Sequence, residues 1–339
     1  REDFFMTKQR IVSGMRSTGK LHLGHYIGVL QNWVKLQDDY ECFFFIADWH
    51  ALTTKFDDTD SLKQNIRDIT MDWLACGLDP EKSTIYLQSL VPETAELHIY
   101  LSMITPQNWV ERDPTLKDMA KILRSNENEA PSVSYGLLGY PVLMSADIMM
   151  FNADYIPVGS DQIAHIEITR DIANRFNRIY KTDFFKEPKP KLTEVPLLKG
   201  IDGQKMGKSF HNDIKLSDTE EDTTKKIKQA ITDRNRIRKT DPGNPDNCEV
   251  VFPYYEIFAE YDQITKTCEE CQAATRGCAD CKIKLAEIVN DYLRPMREKR
   301  HELEKNPGYV DDVIREGSKK ARIVAQDILS HVRELVKMY

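Results

Sequence analysis

No apolar stretch in this chain runs further than Cys42-Phe-Phe-Phe-Ile-Ala47. A membrane-spanning helix needs roughly 20 such residues, so no span is expected. The first residues, Arg1-Glu-Asp-Phe-Phe-Met6, also lack the basic-then-apolar order of a secretory signal. The expected compartment is the cytoplasm. Positive charge is not in excess either: the net charge is −7 over 339 residues. A nucleic-acid partner therefore has to be met by a local basic face rather than by a basic protein. No internal repeat is present, which excludes a solenoid or propeller.

What remains is an ordinary globular composition, 41% hydrophobic and 30% charged, long enough for two domains with cores. Ile11-Val12 leads into Gly14-Met-Arg-Ser-Thr-Gly-Lys-Leu-His-Leu-Gly-His25, and Tyr26, Val29, Leu30, Trp33 and Val34 then recur at helical spacing. Glu41 to Ala47 reads as a buried strand. Leu62, Ile66, Ile69, Trp73 and Leu74 mark a helix, and Ser83 to Gln88 a further strand. That alternation predicts a parallel sheet with helical crossovers. Leu97 to Ser134 reads as mostly helical with a polar loop at Asn126–Pro131. A helix is expected from Tyr140, a short strand at Asp154–Gly159 and a helix over Gln162–Arg178. Lys186-Glu-Pro-Lys-Pro-Lys191 reads as a linker or surface loop. Beyond Asn212 long helical patterns take over, notably around Lys282–Leu303 and Asp311–Met338. The expectation is an α/β protein: a Rossmann-like catalytic domain over 1–210, then an α-helical domain over 211–339.

The Gly-rich opening after a strand suits phosphate, because glycine lets backbone N–H groups approach an anion and a helix N-terminus favours negative charge. Gly14-x4-Gly19-Lys20 nearly forms a P-loop. Leu21 stands where that loop needs Ser or Thr for magnesium, so a P-loop NTPase is excluded. Seven cysteines follow another logic. Cys42 and Cys76 lie in apolar contexts, whereas Cys248, Cys268, Cys271, Cys278 and Cys281 crowd together, which in a cytosolic chain suggests metal. Two sets of four can be drawn, Cys268/271/278/281 or Cys248/271/278/281, and thiolate chemistry alone serves zinc or an iron–sulfur cluster.

His22-Leu-Gly-His25 and Lys205-Met-Gly-Lys-Ser209, about 180 residues apart, resemble the HIGH and KMSKS motifs of class I aminoacyl-tRNA synthetases. Those residue types suit attack of a carboxylate on the α-phosphate of ATP, where negative charge builds on that phosphate and on departing pyrophosphate. Tyr140-Pro-Val-Leu-Met-Ser-Ala-Asp-Ile148, Ile156-Pro-Val-Gly-Ser-Asp-Gln162 and the run from His165 to Asn177 look like bacterial-type tryptophanyl-tRNA synthetase.

The resemblance implies His22, His25, Lys205 and Lys208 as catalytic groups. It implies Arg16, Gly24, Lys117, Gly159, Asp161, Met206 and Ser209 around ATP, which is used with magnesium. Asp147 is implied as acceptor of the indole N–H, Tyr140 and Gln162 as partners of the α-amino group, and Val12, His50, Met144, Ile148, Ile156 and Val158 as walls of the tryptophan pocket. An aspartate suits indole, which has one donor and no acceptor. The resemblance further implies a [4Fe–4S] cluster on Cys248, Cys271, Cys278 and Cys281, with zinc as alternative and Cys268 spare. It also implies tRNA(Trp) and L-tryptophan as partners, and a homodimer. Seven cations between Lys225 and Lys239 are expected to meet tRNA. Two departures stand out: Ser17 where the family usually has proline, and Gly207 where it usually has serine. A non-catalytic RNA-binding relative is the competing reading, which the intact histidines and lysines oppose.

Overall fold

The aromatic run around Phe44 is buried on both sides because it forms an inner strand. Successive side chains of β2 (Glu41–Ala47) serve opposite cores: Cys42, Phe44 and Ile46 enter one, Phe43, Phe45 and Ala47 the other. The computed structural model describes residues 8–114, 116, 133–159, 162–192 and 198–338; the polar loop expected at Asn126–Pro131 lies outside them. With β2, the strands β1 (Arg10–Arg16), β3 (Ser83–Leu87), β4 (Tyr155–Val158) and β5 (Lys189–Leu192) form one parallel sheet in the order β3-β2-β1-β4-β5. The chain lays strands outward from β1 to β3, then returns to place β4 on the other side of β1, with Ile11 opposite Tyr155. Such a reversal opens a crevice at the carboxyl ends of β1 and β4, where open α/β sheets bind ligands.

The helices are α1 (Gln31–Asp39), α2 (Asp48–Lys55), α3 (Leu62–Ala75), α4 (Glu93–Ile104), α5 (Tyr135–Met149) and α6 (Ile163–Tyr180), followed by α7 (Glu220–Gln229), α8 (Val251–Phe258), α9 (Tyr261–Gln272), α10 (Cys278–Glu304) and α11 (Pro307–Val336). A Rossmann-like parallel sheet followed by helices is the expected class. Trp33 of α1 stacks on Phe44 at 4.4 Å between centroids, with Trp73 of α3 edge-on at 5.2 Å. The same core continues into Tyr254, Leu285 and Val289 of the helical half. Among the described residues no helix is long and apolar enough to cross a membrane.

The segment expected as a linker or surface loop corrects that reading. Lys189–Leu192 pairs with Tyr155–Val158 as the outermost of the described strands, where Pro190 is tolerated because no described strand lies beyond to require its missing N–H. The opposite edge is covered differently. α11 crosses β3 so closely that a Cβ on Gly317 would lie 1.8 Å from the Ile85 carbonyl oxygen. The neighbouring Ser318 hydroxyl accepts the Leu87 N–H at 3.2 Å, giving an edge amide a partner that blocks further strand addition. Gly317→Ala is therefore expected to lower the free energy of unfolding by about 2–3 kcal/mol through overpacking, read as a shift in the urea midpoint. An unchanged midpoint would show that α11 can leave the edge freely.

Candidate functional site

The opening loop and the lysine loop meet through main chain. His22 and Lys215 form an antiparallel bridge. Leu23 N–H donates to Ile214 O at 2.9 Å, and Leu216 N–H to Leu21 O at 3.0 Å. The segment directly after Lys205–Ser209 is thus sewn to the start of the histidine turn. Asn212, 1% exposed, shapes the lysine loop itself. Its Oδ1 accepts Gly207 N–H at 2.9 Å, and its Nδ2 donates to Lys205 O at 3.1 Å and Asp202 Oδ1 at 2.8 Å.

His22 caps a helical turn, Leu23–His25, that runs into a π-helical stretch, Tyr26–Leu30. Gly24 leaves room for the histidine: a Cβ there would lie 3.1 Å from the His22 ring. The His22 and His25 rings approach to 3.8 Å between centroids. Burial pushes His22 down to about 4 and His25 well below its ordinary range, the neighbouring Lys208 adding to both. Both rings are therefore neutral at pH 7, donors rather than cations. Lys208 turns its ammonium to Gly19 O at 2.8 Å and Thr18 O at 3.2 Å; burial lowers it to about 8, against the pull of Asp72 and Asp213.

The crevice at the switch point is one cavity of about 1000 Å³. Val12 and Arg16 enter it from β1, His22, Gly24 and His25 from the opening turn, and Lys205 and Met206 from the lysine loop. His50, Tyr140, Met144, Asp147 and Ile148 line it from α2 and α5, and Ile156, Val158, Gly159 and Gln162 from the end of β4. Lys208 is not among its lining residues. Lys117 and Asp161 lie outside the described residues, as does the side chain of Ser209.

Deep in the cavity Asp147 is 1% exposed. His50 Nε2 lies 2.8 Å from its Oδ2, and Gln88 Nε2 donates to both its oxygens at 2.8 and 2.9 Å. Gln88 is fully buried and its Oε1 accepts Trp49 N–H at 3.2 Å, so it holds α2 and Asp147 together. A second buried group stands behind Tyr140, whose hydroxyl donates to Asp113 and lies 2.7 Å from His165 Nε2. His165 Nε2 in turn is 2.9 Å from Asp113. Gln88, Asp113 and Asn212 carry no motif and were not legible as site residues.

A smaller cavity of about 30 Å³ is lined by Cys248, Cys271, Cys278 and Cys281, but not by Cys268. Cys271 lies in the last turn of α9, while Cys278 and Cys281 occupy the first turn of α10. Arg236 Nη1 lies 3.8 Å from Cys271 Sγ and 4.0 Å from Cys278 Sγ. A Cβ on Gly243 would lie 2.5 Å from Cys271 Sγ. Burial raises the Cys248, Cys271 and Cys281 thiols, the last to about 11. Among the described residues no group of three or more His, Cys, Asp or Glu side chains is arranged to hold a metal ion.

The histidine shift has a consequence for stability. Between the unfolded value near 6.5 and about 4, the unfolded chain binds a proton at His22 that the folded chain refuses. Its contribution is complete above pH 6.5 and is lost as pH falls towards 4. Urea midpoints measured from pH 7.5 to 4.5 are expected to fall less steeply for His22→Gln than for the wild type, and parallel curves would contradict the assignment.

Residues 6–294 match the family of class I tRNA synthetases (W and Y). A tryptophan–tRNA ligase of Thermotoga maritima is 47% identical, over 97% of this chain and 99% of its own. That of Aquifex aeolicus is 42% identical, over 97% of this chain and all of its own. A crystal structure of tryptophanyl-tRNA synthetase from Campylobacter jejuni, complexed with ADP and tryptophan, superposes with a TM-score of 0.88 at 35% identity, covering 97% of this chain and 100% of that one. With the histidine turn and the lysine loop sewn together over a switch-point cavity, and relatives aligned from end to end, the chain belongs to the class I tryptophanyl-tRNA synthetases.

Proposed function

We propose that the chain joins L-tryptophan to ATP, forming tryptophanyl-adenylate and pyrophosphate, and then transfers tryptophan to its cognate tRNA. The observation that carries this reading is a cavity with a fixed carboxylate at its inner end and both phosphate loops at its mouth. Indole fits the inner end. Asp147 supplies an acceptor whose orientation Gln88 and His50 fix, and Val12, Met144, Ile148, Ile156 and Val158 supply apolar walls. Phenylalanine has no N–H to give that carboxylate and so forfeits the hydrogen bond that indole gains there.

The α-ammonium then meets Tyr140 and Gln162. The Tyr140 hydroxyl gives its proton to Asp113, so towards an ammonium group its oxygen acts as an acceptor. A tryptophan held at both ends directs its carboxylate towards the opening turn, where an oxygen attacks the α-phosphorus as the bond to pyrophosphate breaks. Neutral His22 and His25 donate to the phosphate oxygens that gain charge, and Lys205 and Lys208 take the departing pyrophosphate. Lys208 has to release Thr18 and Gly19 to do so. Gly159, Asp161 and Arg16 hold the nucleoside side, with Met206 against it, and Ser209 and Lys117 belong to the phosphates. Magnesium arrives with ATP as part of that substrate.

The second cavity we read as the seat of a [4Fe–4S] cluster on Cys248, Cys271, Cys278 and Cys281. Four thiolates serve zinc or a cluster alike, and it is the family resemblance that selects the cluster. Arg236 is the cation such a concentration of thiolate charge requires. When bound, the cluster supplies cross-links between α9, α10 and the loop of Cys248, and aminoacylation asks no electron of it. Close by, Ile237 is 88% exposed among Arg234, Arg236, Arg238 and Lys239, a surface suited to stacking and phosphate contact. We assign this end, residues 211–339, to the tRNA anticodon and 1–210 to catalysis. Exposed Ile99 and Met103 on α4 suit a second copy, and the setting is the cytoplasm.

Pyrophosphate exchange with each of the twenty amino acids is expected to respond to tryptophan alone; exchange with tyrosine would transfer the assignment, and none would favour the RNA-binding reading. Asp147→Ala should raise the KM for tryptophan by about 10- to 100-fold, the worth of a hydrogen bond to a charged group. Anaerobic metal analysis should find iron and sulfide that are lost in Cys248→Ser and kept in Cys268→Ser. One zinc per chain would overturn the cluster.

A further inference from the structure

α10 starts at the cysteine cavity and reaches the opening loop from behind. Its Arg300, 4% exposed, gives its guanidinium to α3. Nη2 donates to Asp68 Oδ1 at 2.5 Å, while Nη1 donates to the Asp68 carbonyl at 3.1 Å and to Asp72 Oδ1. Asp72, 1% exposed, uses its second oxygen on the opening loop, accepting Leu21 N–H at 2.9 Å. Leu21 directly precedes His22. Asp68, Asp72 and Arg300 belong to no motif, and none of them lines the large cavity.

Bracing α10 against α3 does not by itself call for buried charge, since apolar side chains of equal volume would do so without the desolvation cost. The loop does call for an acceptor. Leu21 lies between Gly19, whose φ is +104°, and His22, whose backbone is extended, so its amide has no helical partner. Its side chain is 1% exposed, which keeps water from the amide as well. Lys208 donates to the carbonyls of Thr18 and Gly19 in this same loop, and Asp72 is foremost among the charges that favour its ammonium. Burial pushes the Asp72 carboxyl up to about 6, with Arg300 the main opposing influence.

We infer that Asp72 is a positioning residue for adenylate formation: its carboxylate, paired with Arg300 of α10, fixes the peptide that carries His22 and the seat from which Lys208 acts. The inference rests on the roles proposed above for His22 and Lys208. Its signature is a loss that appears in the chemical step and not in amino-acid binding, because the indole end of the cavity is untouched.

The test is pyrophosphate exchange on the full chain, with thermal melting to show that each variant is folded at the assay temperature. Asp72→Asn is expected to lower kcat by about 10- to 100-fold, the cost of a small misplacement at a reacting centre, while the KM for tryptophan stays within about twofold. Arg67→Ala is the control. It removes the Arg67–Asp311 pair, 2.6 Å, which ties the same helix α3 to α11 without touching the opening loop; kcat should not change. A folded Asp72→Asn enzyme with wild-type kcat, or Arg67→Ala slowed to the same degree, overturns the inference in favour of plain bracing. If Asp72→Asn does not fold, Arg300→Lys, which keeps the charge and loses the fork, should lower kcat at constant KM, and wild-type kcat there overturns it equally. His22→Asn separates the two levels: undiminished exchange in that variant defeats the site reading itself and not merely the role of Asp72.

Discussion

Two main-chain hydrogen bonds between residues 21–23 and 214–216, which together make the His22–Lys215 bridge, are what the rest of the site depends on. Two loops far apart in the chain present side chains to the same cavity. Backbone pairing does this with little freedom, because each peptide has one donor and one acceptor in fixed directions. With the pairing made, His22 and His25 face the cavity from the β1 side and Lys205 faces it from the other. Asn212 completes the arrangement by closing the lysine loop onto itself. The sheet topology supplies the place, since only the gap between β1 and β4 is left open by the reversal of strand order.

The parts of this architecture that were legible in the sequence are those with a linear signal. β2 reads as a strand because both its faces are apolar, and the two loops read as one site because, in that order, they resemble the paired motifs of class I aminoacyl-tRNA synthetases. β5 has no such signal: Lys-Pro-Lys-Leu is polar and proline-bearing, and only its outermost position in the sheet lets it be a strand. Gln88 is similar. A lone glutamine after a strand is unremarkable until the fold buries it and turns both ends to use, one on Trp49 and one on Asp147. Asp113 and Asn212 were hidden for the same reason, since a polar residue that acts through tertiary contact leaves no period and no spacing. Lys208 shows the complementary limit. Its type was legible, but its present partners, two carbonyls of the opening loop, were not.

The helical half is not an appendage to the sheet. Its aromatic residues Tyr254 and Tyr255 share a core with Trp33 and Phe44, and Tyr292 of α10 lies 2.9 Å from Gln31 Nε2 and 3.2 Å from the Tyr26 hydroxyl. α11 goes further and closes the β3 edge, held also by Arg322 on Glu93 and Arg333 on Glu96. Glu93 is buried and the other three groups are part-exposed, so water still screens what each pair contributes singly. Their use here is directional, fixing the azimuth of a long helix whose apolar stripe alone would allow it to roll.

Ser17 and Gly207, the two departures from the family pattern, can be weighed against this frame. Ser17 is 2% exposed, and its buried hydroxyl has no hydrogen-bond partner among the described residues, so none of the bonds described there is one that a proline would lose with the hydroxyl. Its backbone is held from both sides nonetheless, by β1 before it and by the Thr18 N–H donating to Arg16 O at 2.8 Å after it. Gly207 has φ of −166°, extended backbone open to any residue, and its N–H is fixed by Asn212. A side chain there would meet the Phe210 ring at 3.2 Å, and that ring is 62% exposed and can turn aside. Neither position is therefore a conformational necessity of this chain. The geometry that matters at both loops is carried by main chain and by Asn212, which explains how the local sequence can drift while His22, His25 and Lys205 stay aimed at one cavity.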